Sequence, residues 1–270
     1  MDLYEKNQAL GQLLSSLGHC LVAFSGGVDS TFLLARAREE LSDQVSAVIA
    51  SSETFPAREY EAALQLAQQL QVPVIETSVS ELTNPNFVSN QRDRCYHCKH
   101  GLYTHLNQLA KEMNFPYILD GTNHDDLGDY RPGLQAKEEQ GIRSPLLEVG
   151  LTKAEIRQLS KERGLPTWNK PSFACLSSRI PYGHVITQTK IDQLDAAEKF
   201  LLELGFYQVR VRHHGEMARI EVLPVEMEKV IQSHERIFPY FQALGFTYVT
   251  LDLQGYRTGS MNEVLQLKEG

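Results

Sequence analysis

Residues 22–31 read Val22-Ala23-Phe24-Ser25-Gly26-Gly27-Val28-Asp29-Ser30-Thr31, and the reading of this stretch decides the fold. An apolar run over residues 19–24 enters Ser25-Gly26-Gly27-Val28-Asp29-Ser30, and an apolar-rich helical segment continues from Thr31 to Ala37. Adjacent glycines let a backbone turn sharply and come close to an anion with no Cβ in the way. A helix starting directly after such a turn presents unpaired N–H groups and the positive end of its dipole. With the Ser25, Ser30 and Thr31 hydroxyls close by, the hexapeptide reads as a phosphate cradle in a strand–loop–helix unit. It is not a Walker loop, whose lysine precedes the last Ser or Thr and reaches the β- and γ-phosphates. Asp29 instead puts a carboxylate there, a suitable ligand for Mg²⁺.

Working outward, strands and helices alternate. Residues 45–50 and 72–77 are strand-like, separated by a helix over 57–70, and residues 99–113 carry apolar positions at helical spacing before a short strand at 117–120. Thr152 with Glu155 forms a capping box for a helix ending near Gly164. This alternation predicts an α/β fold with a doubly wound parallel sheet, whose ligands bind off the carboxyl ends of the strands. Beyond about residue 185 the pattern changes to a helix (188–204), two strands (207–212 and 218–222), a helix at about 225–243 and a strand (246–251). The expected organisation is a nucleotide-binding domain over residues 1–185 and a smaller C-terminal α+β domain over 186–270. Leu204-Gly205-Phe206-x-x-Val209 and Leu244-Gly245-Phe246-x-x-Val249 echo each other, as a shared way of ending a helix before a strand.

Composition narrows the function classes. The chain has 270 residues, 42% hydrophobic and 22% charged, as in ordinary globular proteins. A net charge of −8 argues against a general nucleic-acid binder. No apolar run is long enough to span a bilayer, and the N-terminus lacks a signal-peptide pattern, so a cytoplasmic protein is expected. In that compartment Cys20, Cys95, Cys98 and Cys175 are expected to be structural, metal-binding or catalytic rather than disulfide-forming.

Several constellations carry chemistry. Ser51-Ser52-Glu53-Thr54-Phe55 follows the second strand, where a doubly wound sheet places a nucleoside. Asp120-Gly121-Thr122-Asn123-His124-Asp125-Asp126 follows a further strand and joins close backbone approach to hydrogen-bonding groups and acids able to hold Mg²⁺. Asp129-Tyr130-Arg131-Pro132-Gly133-Leu134 and Arg143 add guanidinium groups suited to a transferring phosphoryl group. Cys95-x-x-Cys98 reads as a dithiol pair or as two ligands of one metal centre. Cys175 would complete three ligands, for a [4Fe–4S] cluster with one open iron or for zinc with His97 or His100. Arg210 and Arg212 alternate onto one strand face, with Glu221 on the neighbouring strand and Glu198 on the preceding helix, a fork for a substrate phosphate.

Ser25–Ser30 resembles the PP-loop of N-type ATP pyrophosphatases. Adding Asp120-Gly121, Asp129–Leu134, Trp168-Asn169-Lys170, Cys175-x-Ser177-Ser178-Arg179, Pro181-Tyr182-Gly183, Val209–Arg212, Ala218–Glu221 and Tyr248–Leu253, nearly the whole chain is similar to one family. That family is the ATP-dependent pyridinium-3,5-biscarboxylic acid mononucleotide sulfurtransferases (LarE) of nickel-pincer cofactor synthesis. The resemblance implies adenylation of a substrate carboxylate with release of pyrophosphate, then displacement of AMP by sulfur. It implies Ser25, Gly26, Gly27, Asp29, Ser30, Ser52, Gly121 and Arg143 as ATP and Mg²⁺ contacts, with Asp29 and Cys175 catalytic. Ser178, Arg179, Glu198, Arg210, Arg212 and Glu221 are implied as contacts of the mononucleotide. With Cys95 and Cys98 beside Cys175, the chain resembles the three-cysteine form, in which a [4Fe–4S] cluster delivers sulfur. In the single-cysteine form the residue matching Cys175 surrenders its own. A homo-oligomer, a hexamer by resemblance, and a separate sulfide donor are also implied. An amidotransferase or a tRNA thiolase is the competing enzyme reading, and a nucleotide sensor the non-enzymatic one.

Overall fold

The structure, a computed structural model, describes residues 1–128, 132–257 and 259–262. Asp129, Tyr130 and Arg131, singled out in the sequence, lie outside the described residues. The chain divides into two units, one of residues 1–87 with 93–173 and one of residues 88–92 with 174–270. The change of sequence pattern near residue 185 thus falls inside the second unit.

The first unit is built on four parallel strands, β1 (Cys20–Ala23), β2 (Val45–Ser51), β3 (Val74–Ser78) and β4 (Tyr117–Leu119), in the order β3-β2-β1-β4. Successive strand side chains point to opposite faces, and a parallel sheet is covered on both. Cys20 and Val22 accordingly join the core formed with Leu33, Leu34 and the helix Leu3–Leu17, whose Leu10 and Leu14 are fully buried. Leu21 packs on the other side with Val48, Ile118, Tyr103 and Leu106 of the helix Arg94–Glu112. The Cys20 thiol is part of that core, and burial pushes its pKa up to about 12. It is a packing residue.

β1 is flanked by β2 and β4, so the chain leaves β1 toward one side of the sheet and reaches β4 on the other. Such a reversal opens a crevice at the carboxyl ends of the two strands. The Ser25–Ser30 loop and the Asp120-Gly121 turn both emerge there.

Three departures from the sequence reading have physical reasons. The helix Leu3–Leu17 was not anticipated, although Asp2 and Glu5 form a capping box and Gly18 ends it. The helix expected to start at residue 99 begins at Arg94, which places Cys95 and Cys98 on its first turns. The single helix expected at about 225–243 is broken at Ser233 into Met227–Gln232 and His234–Ala243.

The second unit holds a three-stranded sheet in the order β5-β6-β7, with β5 (Val209–His214) antiparallel to β6 (Met217–Val222) and β6 parallel to β7 (Tyr248–Leu251). The internal echo closes two helices alike: Phe206 N–H donates to Leu201 O (3.3 Å) and Phe246 N–H to Phe241 O (3.1 Å). Residues 88–92 are fastened to this unit by Asn90, which is fully buried. Its side-chain amide nitrogen lies 3.2, 2.8 and 3.0 Å from the carbonyls of Ile180, Pro181 and His184. Its own carbonyl accepts from Gly183 N–H at 2.9 Å.

Candidate active site

In the first unit, Gly26 takes φ +67° and Gly27 is the N-cap of the helix Val28–Leu41. With glycine there, no side chain caps the first turn, whose N–H groups are left for a ligand. Ser25 and Ser30 hydroxyls lie 3.2 Å apart across the loop, and Ser30 Oγ donates to Gly27 O at 3.3 Å. Gly121 approaches this loop so closely that a Cβ built on it would sit 2.9 Å from Ser30 N and 3.2 Å from Ser30 Cα. Both contacts are backbone, which cannot swing aside. Gly121→Ala is therefore expected to cost about 1–3 kcal/mol of stability through overpacking. A denaturant titration checks this, and an unchanged midpoint would show that the loop yields freely.

A cavity of about 140 Å³ lies over the loop, lined by Ser25, Gly27, Asp29, Glu59, Lys153, Lys170 and Phe173 among others. Lys153 and Lys170 supply the cations that the loop itself lacks. The Lys153 ammonium pairs with Asp29 Oδ2. Lys170 donates to Gly26 O at 3.0 Å and pairs with Glu59 at 2.8 Å. Asp29 Oδ1 is buried and has no hydrogen-bond partner. Lys153 opens the helix Lys153–Glu162 behind the Thr152–Glu155 capping box, and its N–H donates to Asp125 Oδ2 at 2.9 Å. Its position directly after a capping residue was the only trace of its role in the sequence.

The acids expected to hold Mg²⁺ in the loop after β4 are engaged with the protein. Asp120 is buried and accepts from Tyr103 OH at 3.0 Å, Thr122 Oγ1 at 2.8 Å and the Ser144 hydroxyl. Asp125 anchors Lys153, and Asp126 accepts from Asn123 N–H at 3.0 Å. Arg143, expected at the phosphates, directs Nε to Glu148 Oε1 at 2.9 Å and does not line the cavity. That partner holds the Arg143 pKa above its usual value. Ser52 Oγ and the Thr54 hydroxyl donate to Glu81 Oε2 (the Ser52 bond at 3.3 Å), while Cys98 Sγ donates to Glu81 Oε1 at 2.7 Å. Glu81, unnoticed in the sequence, joins the loop after β2 to the cysteine helix. Arg94 brings its guanidinium 3.9 Å from Cys95 Sγ.

In the second unit, Cys175 is half-buried and caps the 3-10 turn Leu176–Arg179. Its carbonyl accepts from Ser178 N–H (3.0 Å), Ser178 Oγ (2.8 Å) and Arg179 Nη1 (3.0 Å), and its sulfur lies 3.1 Å from Ser177 Oγ. Arg179 is fully buried and forms a two-pronged pair with Glu198 at 2.9 and 3.1 Å. Burial works to raise the Glu198 pKa, but Arg179 and Arg210 outweigh it and hold the carboxyl below its usual range. Arg179 also donates to the Ala174 carbonyl at 2.6 Å. The pair thus ties the backbone of the Cys175 turn to the helix Gln188–Glu203.

Arg210 and Arg212 do share a face of β5, and His214 continues the row. Arg212 pairs with Glu221 at 2.7 Å and donates to Ser178 O at 3.3 Å, and Arg219 reaches Glu221 at 3.1 Å. Arg210 stacks over Tyr256, 5.3 Å from its centroid, and burial together with the Arg179 charge lowers its pKa. His214 is shifted down by burial and by Arg219, and its Nε2 is buried with no hydrogen-bond partner. Among the described residues, Arg179, Arg210, Arg212 and Arg219 stand beside the carboxylates Glu198, Glu221 and Asp252.

The chain is similar to several known proteins. Residues 9–101 match the NAD synthase family model. A pyridinium-3,5-bisthiocarboxylic acid mononucleotide synthase of Lactiplantibacillus plantarum is 42% identical, over 97% of this chain and 96% of its own length. An uncharacterised protein of Synechocystis is 43% identical, over 97% of this chain and 99% of its own. One component of a glutamine-hydrolysing GMP synthase of Sulfurisphaera tokodaii is 25% identical, over 71% of this chain and 57% of its own. No helix among the described residues is long and apolar enough to cross a membrane.

Proposed function

Because the chain belongs to the pyridinium-3,5-bisthiocarboxylic acid mononucleotide synthase family of PP-loop enzymes, we propose that it is an ATP-dependent sulfurtransferase acting on a pyridinium biscarboxylate mononucleotide. A carboxylate is a poor electrophile, and oxide is a poor leaving group. Attack of a substrate carboxylate oxygen on the α-phosphorus of ATP breaks the α–β bridge, and pyrophosphate departs from the cradle at residues 25–30. Sulfur then adds to the acyl carbon, AMP leaves, and a thiocarboxylate remains. A second round converts the second carboxylate. The observation that carries this reading is a lysine-lined phosphate cradle in the same chain as a cysteine turn pinned through its carbonyl. The cationic face of β5 and β6, with Arg210, Arg212 and His214 in a row, suits the phosphate of the mononucleotide.

Asp29, with one buried carboxylate oxygen lacking a partner, fits an Mg²⁺ ligand. The sulfur source in this proposal is a [4Fe–4S] cluster on Cys95, Cys98 and Cys175. Cys95 and Cys98 stand at i and i+3 of one helix and so share a face, and none of the three is in a disulfide. A bound cluster would supply sulfide from an iron without a protein ligand. The chain's own part is to hold that group and to fix the Cys175 backbone. Anaerobically purified protein is expected to carry about four irons per chain and to release pyrophosphate only when the biscarboxylate substrate is present. Protein without iron that loses one H₂S in mass from Cys175 on turnover would replace the cluster route by sacrifice of that cysteine. Release of pyrophosphate without any carboxylate substrate would sink the sulfurtransferase reading.

A further inference from the structure

The cradle is neutralised from within the chain. Lys153 and Lys170 both line the cavity, and each ammonium holds a carboxylate: Lys153 the Asp29 side chain, Lys170 that of Glu59. Asp29 is also the one carboxylate of the phosphate loop itself. An ammonium and a divalent cation cannot both sit on that small group without repelling each other strongly in a partly buried site. The second Asp29 oxygen is buried and unpartnered, so Lys153 satisfies only half of the carboxylate.

The Lys153 backbone cannot follow a moving partner. Its N–H is held by Asp125 at 2.9 Å, and the Thr152–Glu155 capping box fixes the turn around it. The side chain can move, being 33% exposed on a flexible four-carbon stem. Only one kind of event gives that ammonium a better partner: the arrival of phosphate oxygens in the cavity it lines.

We propose that Lys153 is an exchangeable counter-cation and a catalytic residue. It occupies Asp29 before nucleotide binds, and passes to the pyrophosphate oxygens of ATP as the metal ion takes Asp29. Metal alone is thereby kept out, and metal and nucleotide bind together. Once transferred, the ammonium neutralises charge on the leaving pyrophosphate, the work done in other phosphate loops by a lysine this hexapeptide lacks. The proposal rests on the nucleotide reading of the cradle.

The test needs no turnover. Mn²⁺ as a probe for the metal is titrated into the nucleotide-free full-length protein and followed by the electron paramagnetic resonance of unbound Mn²⁺. Lys153→Met and Lys153→Gln are expected to bind Mn²⁺ at least roughly tenfold more tightly than the parent chain, as removal of a competing charge requires. Adding Asp29→Asn to either should abolish the gain. In the parent chain, α,β-methylene ATP should bring Mn²⁺ affinity up to that of the variants, while the variants bind the analogue more weakly than the parent. Identical Mn²⁺ curves for the parent and both variants would overturn the proposal. A gain in the variants with no effect of the analogue on the parent would overturn the hand-over, and would count separately against the nucleotide reading.

Discussion

Cys175→Ala is expected to abolish thiocarboxylate formation, by roughly a thousandfold or more, as when a covalent participant is removed from other enzymes. Substrate-dependent release of pyrophosphate should persist for a first adenylation. The separation follows from the structure. The phosphate cradle and its lysines belong to the first unit and use no thiol, whereas Cys175 stands in the second. The loss is expected whether Cys175 ligates a cluster or gives up its own sulfur, so the variant tests the residue and not the route. The fold should survive, since the side chain is only half-buried and the turn is held by its carbonyl. Cys20→Ala is the control, removing a thiol enclosed in the sheet core. Mass spectrometry of the product beside a coupled pyrophosphate assay reads both steps. Undiminished thiocarboxylate from Cys175→Ala would remove this cysteine from the chemistry.

The largest loss of stability is expected from Glu198→Ala. Arg179 is 0% and Glu198 2% exposed, so the variant takes the two-pronged carboxylate from a guanidinium that is shut off from water. Breaking such a pair from one side costs about 3–5 kcal/mol. The Val211 N–H also loses the acceptor it has at 3.1 Å. A fall in melting temperature of roughly 10 °C follows for a chain of this size. Arg179 should then release the carbonyls of Ala174 and Cys175, which it meets at 2.6 and 3.0 Å. Faster alkylation of Cys175 would report that release. The folded-state pKa of Glu198 is depressed, so the stability it lends is present above the unfolded carboxylate value of about 4.3 and fades as pH falls through the folded value. A melting point within about 2 °C of the parent would show the pair to be replaceable.

Much of the frame was legible because it rests on local pattern. The strand at residues 45–50 and the helices at 57–70 and 188–204 fall within a residue or so of Val45–Ser51, Ala57–Gln69 and Gln188–Glu203. Periodicity and capping determine such elements with little help from elsewhere. The helix Leu3–Leu17 carries an equally local signal in the Asp2–Glu5 capping box. The site divided differently. Residues that act through backbone position, Gly26, Gly27 and Gly121, could be named from their neighbours. Lys153 could not, and Lys170 stood in the family pattern without a role, because what makes them part of the cradle is a contact across more than a hundred residues of chain. The same limit hid Glu81, and it hid the pairing of Arg179 with Glu198, which lie 19 residues apart.

The fastening by Asn90 bears on how this protein can be cut, copied or inherited. Its five-residue stretch leaves the ribosome long before the turn it secures, and the first unit resumes immediately afterward. Residues 174–270 are thus not a self-sufficient cassette. Expressed alone, that fragment would lack the amide that ties together Ile180, Pro181 and His184, directly beyond the Cys175 turn. Gene fusion or recombination that moves the C-terminal half would have to carry residues 88–92 with it, which favours inheritance of the chain as a whole.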